Sequence, residues 1–518
     1  MLRGLGALAV TTLAALVMAP AAVGAVKPNI VLIQADDQTA SQFTPRVMPR
    51  TTSLLADHGT TFRDYIVTTP LCCPSRASLL TGQYAHNNGV WNNNVGGGYP
   101  ALNDKRNVLP VWLQEAGYNT IHVGKFLHSY AAAVSDPAEV APGWDDWQTM
   151  MSAKTSYYDY DLSDNGRTVH RGTDDDDYAT RVITHKAVRA VRRYAPAAHP
   201  FYLQVDQRAP HAASNNPPGR CGRIPNAEPD PMDMNRFRNA PVPKPPSFDE
   251  ADMRDKPSFI RTLPRLTYKG RETVREHWSC ALASLVGLDR SVARIFNAVK
   301  RAGELHRTVF IYISDNGRFY GEHRLPSGKI FPYEEALLQP LVIRLPARYR
   351  GGVRRVESSG RPVANIDLAP TVLDLAGGTP CPPTGACRTM DGRSLMPLLR
   401  RSGHWPRHRD LLTEFRDPGH RHYASCEFAG IRTKGGIYVE HYSVATQSSG
   451  RCQPTFQVER YNLRDDPHEL RNICYGGVPT SCPVGAYQLQ LELHLQALRR
   501  CAGIRGRDQR VDGRPYCD

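Results

Sequence analysis

Short apolar runs along the chain alternate with longer segments in which apolar residues return every three or four positions. "NIVLIQA" (29–35) is a continuous apolar run ending at a polar pair, the pattern of a strand buried on both faces of a parallel sheet. "NTIHVG" (119–124), "FYLQVD" (201–206), "TVFIYIS" (308–314) and "PLVIRL" (340–345) have the same character. Between these runs, residues 178–194 and 273–302 carry a helical period. The alternation predicts an α/β sandwich around a largely parallel sheet. Sites in such sheets lie beyond the carboxyl ends of the strands. Asp36-Asp37 and Asp315-Asn316 fall at those ends on two separate strands.

Residues 212–257 are rich in Pro, Asn and charge and read as a long loop that walls a binding site. The acidic run Asp174–Asp177 directly precedes a helical pattern, so it reads as the acidic first turn of a helix rather than a calcium loop. After "MDGRSLMPLL" (390–399) the pattern changes to shorter strands and turns, closing with an amphipathic helix near 485–500. The chain therefore divides into a main domain over 26–395 and a smaller C-terminal α+β domain over 396–518. The first 25 residues place Arg3 before an apolar run and end on Val23-Gly24-Ala25, the form of a secretory signal peptide. An uncleaved anchor is the alternative, disfavoured by Pro20 and by the shortness of the run. The later sequence contains no stretch of the length and apolarity of a membrane span, so the mature protein is expected to be secreted.

With 41% hydrophobic and 22% charged residues, the 518-residue chain has the balance of a folded protein rather than a disordered one. Its twelve cysteines suit an oxidising compartment. They form no CxxC pair, which argues against zinc. Two of them are adjacent, Cys72 and Cys73. The other ten make an even set for five disulfides, with Cys381–Cys387 and Cys474–Cys482 closing small loops and the remaining pairing open. The formal charge of +14 would attract polyanions such as sulfated polysaccharide. The basic residues are scattered, mostly arginine, and no zinc-finger, RNP or leucine-zipper pattern points to nucleic acid.

Asp36, Asp37, Asp315 and Asn316 together offer the oxygen ligands that suit Ca²⁺ or Mg²⁺. Taken singly, each doublet is equally well explained as a strand-end turn. The apolar pattern after Ser75 predicts a helix, which places Cys72 at a helix N-terminus, an anion-binding location.

The stretch "CCPSRASLLTG" resembles the sulfatase signature Cys-x-Pro-Ser-Arg followed by Leu-Thr-Gly, matched here by Cys72, Pro74, Ser75, Arg76, Leu80, Thr81 and Gly82. The likeness implies that Cys72 is oxidised to formylglycine by a formylglycine-generating enzyme, with Cys73 in the variable place. "NIVLIQADDQ" and "YISDNGRFYGEHRLPSGK" resemble the family's two metal-binding strands, the second carrying Lys329. "GYNTIHVGKF" and "APH" resemble the segments that carry an active-site lysine, Lys125, and a catalytic histidine, His211. The double cysteine, "GKFLHSY", "APGWDDW" and "VANIDLAPT" look closest to N-acetylglucosamine-6-sulfatases. Leu127 stands where many sulfatases have a histidine, and His128 follows one position later, either in the site or outside it.

The resemblance implies an alkaline-phosphatase-like fold and a metal held by Asp36, Asp37, Cys72, Asp315 and Asn316. Arg76, Lys125, Lys329 and the cation would surround an anionic sulfate, and His211 would protonate the departing oxygen. A hydrated aldehyde suits this chemistry: one hydroxyl attacks sulfur and the other expels sulfate, so no stable ester accumulates. The implied substrate is a sulfated carbohydrate such as N-acetylglucosamine 6-sulfate. Two other readings stay open at this level. One is a phosphodiesterase or phosphonate hydrolase on the same scaffold. The other is a sulfated-glycan binding protein with Cys72 unmodified.

Overall fold

The computed structural model describes residues 26–518 apart from 95, 152–155, 214–220, 224, 353–357, 407, 420–424 and 446–449. The expected signal segment lies outside these residues. Twelve strands belong to the first part of the chain: β1 (Asn29–Ala35), β2 (Thr60–Phe62), β3 (Tyr65–Ile66), β4 (Asn119–Lys125), β5 (Asp146–Met150), β6 (Tyr160–Asp164), β7 (Arg167–Arg171), β8 (Phe201–Asp206), β9 (Thr308–Ser314), β10 (Leu341–Arg344), β11 (Ser358–Ser359) and β12 (Val363–Ala364). Ten of them form one sheet in the spatial order β11-β2-β10-β9-β1-β8-β4-β5-β6-β7, while β3 and β12 pair separately.

The centre of the sheet, β9-β1-β8-β4-β5, is parallel. Every residue of β1 is buried. Along it Val31 and Ile33 enter one apolar core, and Ile30 and Leu32 enter the other, the period-2 alternation of a strand covered on both faces. The helices Ala179–Tyr194 and Tyr268–Arg301 cover the first face. Cys72–Thr81, Leu109–Glu115 and Leu368–Ala376 cover the second, completing the α/β/α sandwich. The longest helix begins a turn earlier than its apolar period, because the Thr267 hydroxyl accepts from the Gly270 N–H at 3.1 Å and caps it.

One strand departs from expectation. "PLVIRL" was expected to run parallel like its neighbours, but β10 is antiparallel to both β9 and β2. An apolar run reports burial of both faces and carries no sign of direction. The 315–340 connection contains only the four-residue helix Glu334–Leu337, not a crossover helix, so the chain returns down the sheet. At the opposite edge β5, β6 and β7 are also antiparallel.

Asp175–Asp177 forms a separate 3₁₀ turn ahead of the helix Ala179–Tyr194, whose own first turn carries no acidic residue, so the run precedes the helix instead of forming its first turn as expected. The described part of the 212–257 loop is anchored to the two long helices. From the longer helix, Cys280 is bonded to Cys221, and Arg290 pairs with Asp230 at 3.2 Å and Asp233 at 2.6 Å; from the other, Arg181 holds Asp230 at 2.7 Å.

The later part of the chain builds an antiparallel sheet from β13 (Leu411–Arg416), β14 (Ser425–Thr433), β15 (Gly436–Ala445) and β16 (Cys452–Tyr461). The helix Ala486–Leu498 packs on it through Leu491, Leu495 and Leu498. This sheet does not close its own core. Phe415, Phe428 and Ile431 share a cluster with Ile66, Leu71, Tyr84 and Phe319. Buried ion pairs cross the same seam. Arg409 grips Asp367 in a two-toothed pair at 2.6 and 2.7 Å, and Arg432 reaches both Asp64 and Glu334 at 2.9 Å. The disulfides are Cys221–Cys280, Cys381–Cys387, Cys426–Cys452, Cys474–Cys482 and Cys501–Cys517, including both small loops expected from spacing. Among the described residues no helix is long and apolar enough to cross a membrane.

His86 gives the seam a pH dependence. Its Nδ1 lies 2.9 Å from Glu414 Oε1, and Nε2 lies 3.0 Å from the Cys501 carbonyl. Burial alone would lower the imidazole pKa, but Glu414 outweighs it and raises the pKa to about 9. Because the folded pKa lies above the unfolded value, the stability His86 contributes is complete below about pH 6.5 and is lost as pH rises through about 9. His86→Gln is expected to lower Tm by roughly 2–4 °C at pH 6. The difference from wild type should vanish by about pH 10, measured by thermal denaturation across pH.

Candidate active site

Four adjacent parallel strands, in the order β9-β1-β8-β4, deliver the polar residues of the site from their carboxyl ends. The register keeps those ends level: Ala35 pairs with Ser314, Gln34 with Asp206, and Asp206 with Gly124. β9 leads into Asp315 and Asn316, β1 into Asp36 and Asp37, β8 into the turn carrying His211, and β4 ends on Lys125. Gly124 is required at its place. Its φ is +113°, and a Cβ there would come within 2.0 Å of the Asp206 carbonyl. Asp37 also has a left-handed backbone, φ 71°, which folds the second carboxylate back toward the first.

The helix Cys72–Thr81 enters from the second face of the sheet. Leu71 before it is extended, and Gly82 ends it with φ +66°, the left-handed turn that Leu-Thr-Gly supplies. Asn365 clamps its first turn: its carbonyl oxygen accepts from the Thr68 N–H at 3.0 Å, and its amide donates to the Ser75 carbonyl and hydroxyl at 3.1 Å. Successive residues of a helix point about 100° apart, and this separates the two cysteines. The Cys73 thiol turns into the apolar core and donates to the His128 carbonyl at 3.8 Å. The Cys72 thiol faces the carboxylates, 3.5 Å from Asp36 Oδ1, and accepts from Lys329 Nζ at 2.8 Å. Both are free, and burial pushes both thiols up to about 12.

Each carboxylate has a cation beside it. Lys125 donates to Asp36 at 2.5 Å, Lys329 donates to Asp37, and Arg76 Nε donates to Asp315 at 2.8 Å. Burial by itself would raise the Asp36 and Asp37 carboxyls. The surrounding cations, Lys125 foremost for Asp36 and Lys329 foremost for Asp37, hold both below the ordinary carboxylate range. Asp315 goes the other way: burial, followed by repulsion from Asp36, pushes it up to about 6 despite Arg76. Burial, more than any shortage of positive charge, is what raises Asp315.

The same cluster fits a hard divalent cation. Ligand atoms of Asp36, Asp37, Cys72 and His211 all lie within 4.8 Å of one another. Asp37 Oδ2 and Asn316 Oδ1 are buried without a hydrogen-bond partner. Oxygen-rich donors of this kind suit Ca²⁺ or Mg²⁺.

His211 Nε2 lies 3.7 Å from Asp37 Oδ2, and Nδ1 donates to the Ala212 carbonyl at 2.6 Å. That bond leaves the Nε2 lone pair facing the site. Burial, with nearby Lys125 and Lys329, lowers the imidazole pKa to about 3, against the pull of Asp37 and Asp36. Burial therefore holds the ring in its neutral form while no anion is bound.

The structure brings Asp36, Asp37, Cys72, Arg76, Lys125, His211, Asp315, Asn316 and Lys329 together. His128 stands at the margin, lining a cavity with Lys125, and its Nε2 is buried without a partner. Arg76 is fixed by part of its fork, while its Nη2 is buried without a hydrogen-bond partner. It is 3% exposed, and Nε and Nη1 are committed to Asp315 and, at 2.9 Å, to the Lys125 carbonyl, so its fork orients the cluster from behind.

Sequence reasoning missed several residues. Asp206, at the end of "FYLQVD", accepts from Gln204 at 2.7 Å, lies 2.9 Å from His122 Nε2, and faces Arg76 Nη1 at 3.6 Å. The strand-end rule that found Asp36 and Asp315 would have found it too. Arg318 lies 3.5 Å from Asp37 Oδ2. Arg208 is buried beside the site. Neither arginine has a sequence signal beyond its place near the site segments.

Comparison with known proteins gives a consistent result. The profile of the sulfatase family matches residues 28–378, and that of the N-sulphoglucosamine sulphohydrolase C-terminal region matches 321–484. An arylsulfatase of Volvox carteri is 33% identical, covering 86% of this chain and 71% of its own length. The N-acetylglucosamine-6-sulfatase of Capra hircus is 29% identical, covering 95% of this chain and 87% of its own. In fold, the chain is similar to BT4656, solved in complex with its substrate D-glucosamine-2-N,6-O-disulfate. That likeness has a TM-score of 0.70 at 24% identity and covers 91% of this chain and 97% of the other.

The position of Arg76 yields a test. A lysine cannot bond Asp315 and the Lys125 carbonyl together, because it lacks the planar fork. Arg76→Lys is expected to lower kcat about 100-fold and to weaken Ca²⁺ binding, read by steady-state kinetics and calcium titration. Unchanged calcium affinity would contradict the orienting role.

Proposed function

The chain belongs to the sulfatase family and is a sulfuric ester hydrolase, and from this premise we propose that it is exported and removes sulfate from a sulfated carbohydrate of the N-acetylglucosamine 6-sulfate kind through a formylglycine at position 72. The observation that carries the proposal is the unequal placing of the two cysteines: Cys72 stands among Asp36, Asp37 and Lys329, while Cys73 belongs to the apolar core. Export is supported by the five disulfides and by the leader-like opening sequence. The choice of sugar rests on the relatives named N-acetylglucosamine-6-sulfatase, which match over most of the chain.

Asp36, Asp37, Asp315 and Asn316 would hold the divalent cation, which when bound polarises sulfate oxygens. Formylglycine at Cys72 would supply a hydrated aldehyde whose hydroxyl is the nucleophile. The protein's own groups do the rest. Lys125 and Lys329 attract the sulfate and balance the charge that develops on its oxygens. Arg76 keeps Asp315 and the end of β4 in register. An arriving anion raises the pKa of His211 at Nε2, so the imidazole can take up a proton and pass it to the departing sugar oxygen.

Peptide mass spectrometry of protein made with a formylglycine-generating enzyme is expected to find the aldehyde or its hydrate at Cys72. Cys72→Ala should lose at least about 1,000-fold in kcat on glucosamine 6-sulfates. Cys73→Ala should keep most activity and lose roughly 1 kcal/mol of stability as a small core truncation. Modification at Cys73, or faster turnover of phosphate esters than of sulfate esters, would refute the reading.

Exhaustive chelation should abolish turnover, and Ca²⁺ or Mg²⁺ should restore it. Full activity after chelation would remove the metal from the proposal.

A further inference from the structure

Each cation of the cluster already has a carboxylate: Lys125 has Asp36, Lys329 and Arg318 have Asp37, and Arg76 has Asp315. Arg208 is the exception. It is 2% exposed, and its Nε and Nη2 are buried without hydrogen-bond partners. No described carboxylate forms an ion pair with it. A guanidinium does not lose its proton in a protein, so an unmatched one in a buried place is costly unless an anion comes to it. Burial lowers its pKa, with Asp36 the foremost opposing charge, as expected of a cation beside the cluster but not paired within it.

The side chain is held in place before any ligand arrives. Its guanidinium carbon lies 5.8 Å from the centre of the buried Tyr157 ring, which in turn stacks on Tyr178 at 5.7 Å. The Tyr157 hydroxyl donates to the carbonyls of Arg208 at 3.3 Å and His211 at 2.8 Å, and the His211 N–H donates to the Arg208 carbonyl at 2.9 Å. One turn after β8 therefore fixes both residues. Arg208 also lines, with Lys125, His128, Trp147 and Met150, a cavity of about 130 Å³. That is roughly four water volumes, the scale of one polar group and not of a sugar ring.

We propose that Arg208 is a substrate-binding residue whose guanidinium fork takes oxygens of the sulfate group being removed, from the side of Lys125 and His128. The inference rests on the reading of this cluster as the sulfate-ester site. It adds a charge that none of the recognised motif positions supplies. A planar fork matches two oxygens of a tetrahedral anion and fixes its rotation, which an ammonium cannot do.

The test uses inorganic sulfate as the probe and a Cys72→Ala chain as the host, with Ca²⁺ present. Sulfate should raise the Tm of the host. Adding Arg208→Gln should weaken sulfate binding at least roughly tenfold by calorimetric titration. The same change should raise Tm in sulfate-free buffer, because it removes an unmatched buried charge. Arg208→Lys, which keeps the charge and loses the fork, should fall between. In the active chain Arg208→Gln should raise KM at least roughly tenfold for an aryl sulfate and a sulfated sugar alike. A lower Tm without sulfate together with unchanged sulfate affinity would make Arg208 a structural residue and overturn the proposal. A loss confined to doubly sulfated sugars would assign the fork to another substituent and overturn it as well. Because the titration host lacks the Cys72 thiol, a failure of the formylglycine assignment leaves this result intact.

Discussion

Three carboxylates buried within a few ångströms of one another repel, and the site exists only because positive charge is brought to them from every side. Lys125 comes from the neighbouring strand, Lys329 from the loop after β9, and Arg76 from a helix on the other face of the sheet. Asp315 shows what burial costs here: desolvation, with repulsion from Asp36, keeps its carboxyl up at about 6 even with Arg76 beside it. A site of this kind is poised for a divalent cation and for an anionic ligand together. Neither could be accommodated without the other at comparable cost, since each changes the charge the rest must match.

The charge cluster imposes close backbone approach. Gly124 lets β4 press against the Asp206 carbonyl, and Asp37 adopts a left-handed backbone so that two consecutive carboxylates face one point. Such conformations persist when the surroundings over-determine them. Here the surroundings are the level ends of four paired strands and the hydrogen bonds from Asp37 and Gln38 N–H to Asp315 and Ser314 at 3.1 and 2.9 Å.

The C-terminal sheet takes part in the same arrangement. The Glu414 N–H donates to the Thr68 carbonyl at 2.8 Å, and the Leu412 N–H donates to the Tyr84 hydroxyl at 3.3 Å, at either end of the helix that carries Cys72. Asp367, gripped by Arg409, sits two residues from Asn365, which clamps that helix. The antiparallel sheet is thus a buttress for the helix that carries Cys72.

The sequence alone determined the elements and their chemistry. β1, β8 and β9 lie where their apolar runs placed them, because full burial on both faces leaves an unambiguous local pattern. The acidic doublets were legible because carboxylates at strand ends follow from chain order, and the eleven-residue signature singled out Cys72 by spacing. Direction and partnership were not legible. The reversal of β10 depends on how a connection crosses the sheet, and an apolar run is the same read either way. Which donors of Arg76 remain for a ligand, and that Arg208 has no carboxylate partner among the described residues, are properties of residues far apart in sequence. Only the tertiary structure decides them, because charge matching in a buried site is a sum over neighbours the chain order does not reveal.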